Sequence, residues 1–214
     1  MVRAGRVEID NQLLLDPEFP IEEHQRQRIR IDGAPLALAT RCYVVLNKPR
    51  GLVVTAQDEH ARDTIYRCLG DASLPWLAPV GRLDRASEGL LLLSNDSEWA
   101  ARITDPASRI AKTYHVQVVR LPTTTELENL RAGVTDAGEL LAASSIDLLR
   151  SGGKTAWLEV VLHGGRNRQI RRMLAAFDLS VLRLVRVSIG AIGLGTLANG
   201  AWRHLDPTEV GALA

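Results

Sequence analysis

Apolar residues in this chain come in short runs. The four leucines at 90–93 and the segment VLRLVRV at 181–187 are among the longest, and both fall far short of the roughly 20 residues that a membrane-crossing helix needs. Runs of this length, bounded by Gly, Pro, Asn and Asp, suit buried strands and short helices. No charged-then-apolar leader opens the chain, so a soluble, cytoplasmic protein without a membrane partner is expected. Its 214 residues suffice for one large or two modest domains.

The 26 Lys+Arg and 25 Asp+Glu leave a formal net charge of +1, which excludes a polycationic nucleic-acid coat but not a local RNA-binding patch. That total hides a polarised chain. Within 163–186, Arg166, Arg168, Arg171, Arg172, Arg183 and Arg186 stand against Asp178 alone, a balance of +5; within 121–147, Glu126, Glu128, Asp136, Glu139 and Asp147 stand against Arg131 alone, a balance of −4. Six arginines so close together need an anionic partner or internal acids to offset their repulsion. Cys42 and Cys68 show no CxxC or Cys/His spacing and read as small apolar residues, and the five histidines never come in ligand spacing. No metal and no disulfide framework is expected.

Residues 3–12 alternate around Val7 and Ile9, and 28–32 repeat the pattern in Ile29 and Ile31, each closed by a turn signal at Asp10-Asn11 and Asp32-Gly33. These predict two short strands of a small N-terminal element over 1–39, with the aperiodic stretch 34–40 as boundary and a second domain over 40–214. Residues 43–46 predict a strand stopped by the turn NKPRG at 47–51, and 90–93 a buried strand. The content of 124–132 predicts a helix with Thr as cap, Leu127 and Leu130 on one side and Gly133 past its end. Residues 157–162 and 181–187 predict strands. Between them Ile170, Met173, Leu174 and Phe177 form an i, i+3, i+4, i+7 stripe on a helix whose expected cap is Asn167, with Gly164-Gly165-Arg166 turned toward an anion. The predicted class is α+β, a mainly antiparallel sheet with helices on one side.

The strongest local signal is GRLDRASEG at 81–89, leading into the leucine run and then Ser94-Asn95-Asp96. Here Asp84 stands between Arg82 and Arg85 on a Gly-bounded loop ahead of a buried strand, which holds it rigidly and keeps it reachable. Positive charge on both sides favours the ionised carboxylate, a better nucleophile than general acid.

This run, together with NKPRG at 47–51, KTYHVQV at 112–118, GGRNRQIRRM at 164–173 and LRLVRVSIG at 182–190, resembles the RsuA/RluB-type family of bacterial ribosomal RNA pseudouridine synthases. The matches are ordered, correctly spaced and span residue 41 to the C-terminus. The resemblance implies the pseudouridine synthase fold, two α+β halves sharing a continuous, mainly antiparallel sheet with a central cleft. It also implies roles. Asp84 matches the catalytic nucleophile, Arg82 the arginine that enters the RNA helix and supports the flipped nucleotide, and Tyr114 the tyrosine that stacks on the uracil. Arg171 matches the basic partner of the aspartate, and Ile170 lines the base pocket; the doubled arginine leaves Arg172 as the other reading. Lys48, Arg85, Arg166, Arg168, Arg172, Arg183 and Arg186 are expected to contact RNA.

Physical reasons stand beside these roles. A base detached from its ribose must be kept from escaping, and a stacked aromatic holds it at about 1–3 kcal/mol. Flipping the nucleotide costs a few kcal/mol, which an inserted arginine offsets. An Arg171–Asp84 pair at about 4 Å would gain roughly 4 kcal/mol at an effective dielectric of 20, before desolvation. The reaction is redox-neutral and calls for no cofactor. Glu88, four residues after Asp84, could suggest a two-carboxylate glycosidase, but no second sugar-handling signal accompanies it. Trp76, Trp99, Trp157 and Trp202 are dispersed and read as core or rim residues.

Residues 1–39 resemble only the later, strand part of the small ribosomal-protein-type RNA-binding domain that usually opens family members. The expectation is a reduced docking element or a start at Met1 internal to a longer reading frame. Large-subunit ribosomal RNA is the expected substrate, small-subunit RNA or a non-catalytic assembly factor the alternatives, with a monomer that needs no protein partner.

Overall fold

The computed structural model describes residues 1–36, 40–56, 58–70 and 73–213. Contacts divide it into two compact units, Met1–Thr40 and Arg41–Ala214. In the first, β1 (Val7–Ile9), β2 (Gln12–Leu14), β3 (Ile29–Ile31) and β4 (Ala34–Pro35) form an antiparallel sheet in the order β2-β1-β3-β4. The single strand expected over 3–12 is thus a hairpin. Asp10 and Asn11 both take positive φ, 52° and 62°, the left-handed geometry that matches a two-residue turn to strand twist. Asp32-Gly33 repeats the device and turns Ala34–Pro35, expected as loose boundary, back onto β3. Residues 37–39 of that expected boundary lie outside the described residues. Val7, Ile9, Leu14 and Ile29 give this unit its own small core.

The second unit runs β5 (Tyr43–Lys48), β6 (Ala78–Val80), β7 (Glu88–Ser94), α1 (Ser97–Thr104), β8 (Lys112–Val118), α2 (Thr124–Ala132), β9 (Val134–Asp136), β10 (Glu139–Leu141), β11 (Ser145–Gly152), β12 (Thr155–Leu162), α3 (Gln169–Ala175), β13 (Val181–Ile189), β14 (Ile192–Gly193), β15 (Trp202–His204) and α4 (Pro207–Gly211). Its main sheet has the order β11-β12-β8-β13-β7-β5-β15, with β14 on β13 and β6 on β7. Every pairing is antiparallel except β13 with β7, where Val185 faces Glu88 and Arg186 faces Gly89. That seam joins the two α+β halves.

Leu91 and Leu93 of β7 enter the larger core, with residues of α2 and α3; Leu90 and Leu92 enter a second core with Trp99 and Ile103 of α1. Helices therefore cover both faces of the sheet, not one as the sequence suggested. A strand buried on both faces reads as an unbroken apolar run, and the leucine run carries that signal. Strand β5 likewise continues two residues past the expected stop, because Asn47 and Lys48 pair with Leu90 and Gly89.

Helix α2 forms as expected. The Thr123 hydroxyl accepts from the Glu126 N–H while the Glu126 carboxylate accepts from the Thr123 N–H, a capping box, and Gly133 leaves the helix at φ 103°. Helix α3 is shorter than its apolar stripe, and Phe177 lies beyond its end. Its cap is not Asn167. Arg168 occupies the cap position in left-handed conformation, φ 49°, and Gln169 secures the start instead, accepting from the Arg166 N–H at 3.2 Å and donating to the Ala142 carbonyl at 2.7 Å.

Candidate active site

The loop between β6 and β7 carries Asp84, partly exposed, between the exposed Arg82 and Arg85. It is tied down from beneath. Lys48 is fully buried, and its Nζ donates to the carbonyls of Pro49 (3.0 Å), Asp84 (3.3 Å) and Ser87 (2.8 Å). Arg85 Nε donates to the Gly51 carbonyl at 3.1 Å and the Gly51 N–H to the Arg85 carbonyl at 2.8 Å, stitching NKPRG to the loop. Lys48 is thus a positioning residue and not the RNA contact expected from sequence, since an ammonium with no exposed surface cannot reach a phosphate. Burial pushes it down to about 8, against the pull of Cys68, Glu88 and Asp84.

Register brings the remaining groups to the same place. Tyr114 of β8 lies opposite Arg186 of β13, Arg186 opposite Gly89 of β7, and Gly89 opposite Lys48 of β5. Directly paired residues share a face, so Tyr114, Arg186 and Lys48 form one row across the seam. Tyr114 is 8% exposed and Arg186 3%. A cleft of about 300 Å³ opens beside this row, and Arg82, Asp84, Tyr114, Ile170, Arg171 and Arg186 all line it.

Arg171 reaches the loop but not the carboxylate. Its Nη2 donates to the Ala86 carbonyl at 3.2 Å, and among the described residues Asp84 makes no ion pair within 4.0 Å. The expected contact pair is therefore replaced by a bond to the loop backbone, with Asp84 acting on Arg171 only through space. Burial, reinforced by Arg168, lowers Arg171 from the usual arginine range, and Asp84 opposes the shift.

Several of the basic residues expected to contact RNA are held by carboxylates of the protein itself. Arg172 is held by Asp136 and by Glu139 (Nη1, 2.8 Å), and Arg166 by Glu139 (Nε, 3.2 Å) and by the Leu140 carbonyl. The acidic and basic segments thus offset each other at the β9–β10 hairpin. Arg183 binds Glu88 through Nε (3.1 Å) and Nη2 (3.0 Å) and lies 5.7 Å from the Trp157 ring centroid, which uses both the arginine and the carboxylate that could have suggested a glycosidase. Arg186, 3% exposed, lines the wall of the cleft. Arg168 stays exposed.

Lys112, not singled out from sequence, also lines the cleft, and burial followed by the charge of Arg186 lowers its ammonium. The signal was present, since Lys112 sits two positions before Tyr114 and a strand repeats every two residues. Among the described residues no group of three or more His, Cys, Asp or Glu could hold a metal ion, and no helix is long and apolar enough to cross a membrane.

A partly exposed carboxylate, a buried aromatic and several cations thus share one cleft. Residues 42–176 match the family described as RNA pseudouridylate synthase. The chain is 37% identical to an uncharacterized RNA pseudouridine synthase of Mycobacterium bovis, over all of this chain and 85% of that one. It is 42% identical to ribosomal large subunit pseudouridine synthase E of Xanthomonas campestris, over 78% of this chain and 97% of the relative, and 31% identical to ribosomal large subunit pseudouridine synthase B of Bacillus subtilis, over 98% and 86%. A crystal structure of a pseudouridylate synthase superposes with a TM-score of 0.76 at 27% identity, covering all of this chain and 90% of that one. The chain belongs to the RNA pseudouridine synthase family, isomerases that convert uridine in RNA to its carbon-linked isomer.

Proposed function

We propose that this enzyme acts on ribosomal RNA, of the large subunit, with Asp84 as the nucleophile toward a flipped-out uridine. The observation that carries the reading is that Asp84, partly exposed on a loop pinned by Lys48, shares one cleft with Tyr114, Ile170 and Arg171. In this reading Arg82 enters the RNA as the base leaves its stack, Tyr114 and Ile170 sandwich the uracil, and Arg171 keeps the loop and its charge in place. Arg82 also meets phosphates as it enters, as do the exposed Arg50, Arg85 and Arg168. The names of the relatives from Xanthomonas campestris and Bacillus subtilis support the large-subunit assignment. The unit Met1–Thr40 serves as a reduced RNA-docking element, and the enzyme works as a cytoplasmic monomer.

Pseudouridine mapping over both ribosomal RNAs, in cells lacking the gene and restored with wild type or Asp84→Ala, tests this. The expected result is one large-subunit site lost and recovered only by wild type. A small-subunit site would move the target, recovery by Asp84→Ala would remove the nucleophile assignment, and an unchanged map would overturn the ribosomal substrate.

A further inference from the structure

Two buried side-chain nitrogens lack a hydrogen-bond partner among the described residues, Arg186 Nη2 and Arg171 Nε. Both residues line the cleft that holds Asp84. Buried donors are nearly always satisfied, and a charged one left open marks a catalytic role or a missing ligand. Arg186 is the more exacting case. Its Nε donates to the Leu90 carbonyl at 2.7 Å and its Nη1 reaches the Arg82 carbonyl at 3.5 Å, which fixes the guanidinium plane and leaves Nη2 free. It has no carboxylate within ion-pair distance among the described residues, and Lys48 and Lys112 are close enough for its charge to disfavour theirs. A buried guanidinium among cations is stable only if something negative arrives.

The register says where. Arg186 stands directly opposite Tyr114 on the same face, so a pyrimidine stacked on Tyr114 lies alongside the guanidinium. We propose that Arg186 offers Nη2–H to a carbonyl oxygen of the target uracil and stabilises the negative charge that the ring acquires when it leaves the ribose. The inference rests on the reading that the Asp84 cleft holds the uridine. In that step the C1′–N1 bond breaks with its electron pair passing to the ring, spread over O2 and O4, while an Asp84 oxygen bonds C1′. The C5–C1′ bond then forms as the C1′–oxygen bond breaks, C5 loses its proton and N1 takes one up, so nothing is gained or lost overall. Charge development against a fixed, dry donor is where enzymes gain most. It also explains why the arginine is buried: exposed, it would bind phosphate and be screened.

The test uses the full chain with large-subunit ribosomal RNA transcribed in vitro from uridine or 5-fluorouridine triphosphate, following loss of the nitrogen-linked nucleoside. Arg186→Met should lower kcat by about 10²–10³-fold while RNA affinity stays within threefold. Arg186→Lys should recover part of the loss, since it keeps the charge. Fluorine at C5 stabilises the departing ring, so the deficit of Arg186→Met should shrink at least tenfold on the fluorinated RNA. A deficit equal on both RNAs, or a full kcat in Arg186→Met, overturns the proposal. If Arg186→Met unfolds, Arg186→Lys carries the same comparison between the two RNAs. Asp84→Ala is run alongside. Activity retained there sinks the cleft reading itself, whereas an inactive Asp84→Ala beside an unaffected Arg186→Met sinks only the role of Arg186.

Discussion

Gly89 stands at the seam of the sheet with φ 100°, and a Cβ built there would lie 2.3 Å from the Arg186 carbonyl oxygen and 2.8 Å from its nitrogen. Both obstacles are backbone, so no rotamer relieves them, and the parallel approach of β7 to β13 requires glycine. Gly89→Ala should destabilise the protein by about 3 kcal/mol or more, seen as a lower urea midpoint, and should cut activity because Arg186 moves with its strand. Lys48 offers a pH test. Its folded value near 8 lies below the ordinary lysine value of 10.5, so the buried charge is a penalty fully present below pH 8. The unfolded chain binds the extra proton between pH 8 and 10.5, and stability gains across that window, by about 3 kcal/mol at most. Unfolding free energies at pH 7.5 and 10.5 should therefore rise in wild type relative to Lys48→Met; a flat difference would place the titration elsewhere. Asp84 stood out in the sequence through its flanking arginines on a Gly-bounded loop, whereas Tyr114 stood out only through the resemblance of KTYHVQV to the family. The burial of Lys48 was not legible, because a lysine in a Pro-Gly turn ordinarily faces water and only the three carbonyls of the folded loop show otherwise.

Among the described residues the β9–β10 hairpin pairs with itself and stands outside the main sheet, yet it fastens the wall of the cleft. Asp136 and Glu139 hold Arg172 and Arg166, and the Ala142 carbonyl holds Gln169, so both ends of the segment 166–172 are anchored. These carboxylates are about two-fifths exposed, at 44% and 41%, and solvent screening discounts each pair. The double variant Asp136→Asn/Glu139→Gln should lose about 1 kcal/mol at low salt and bind RNA more tightly, since two arginines are released and two negative charges are gone. Chemical denaturation at 50 mM and 500 mM salt checks the first part, as the gap from wild type should narrow when ions screen the pairs. Helix α2 was readable from its own residues because a capping box and a terminal glycine are local devices. Helix α3 was readable as a helix, but its start was not: Gln169 bonds to the Ala142 carbonyl from 27 positions away, and no local pattern reports a partner that distant. The two-sided burial of β7 was present in the leucine run, although the helices on its second face come from separate parts of the chain.

For the molecule as a whole, a net charge of +1 must still produce a surface that binds a polyanion, and internal pairing decides which charges count. Arg172 and Arg183 are held by carboxylates, whereas Arg50, Arg82, Arg85 and Arg168 are exposed and outside any ion pair among the described residues. These four belong to the Asp84 side of the fold: Arg82 and Arg85 flank the aspartate, and Arg50 and Arg168 both act on Arg171. Each phosphate neutralised on a single strand contributes about −0.7 to the slope of log affinity against log salt, so four contacts give a slope of about −2.8, or about a 50-fold loss between 50 and 200 mM. Fluorescence anisotropy with an RNA fragment spanning the modified uridine, titrated across that range, reads the slope directly. Arg82→Ala and Arg168→Ala should each flatten it by about 0.7, and Arg183→Ala should leave it unchanged, because its charge is already spent on Glu88. The sequence balance of +5 over residues 163–186 would have counted Arg172 and Arg183 as equal contributors; a slope that fell as much for Arg183→Ala as for Arg168→Ala would mean that the ion pair with Glu88 opens on RNA and that the sequence count, rather than the folded pairing, describes the surface the RNA meets.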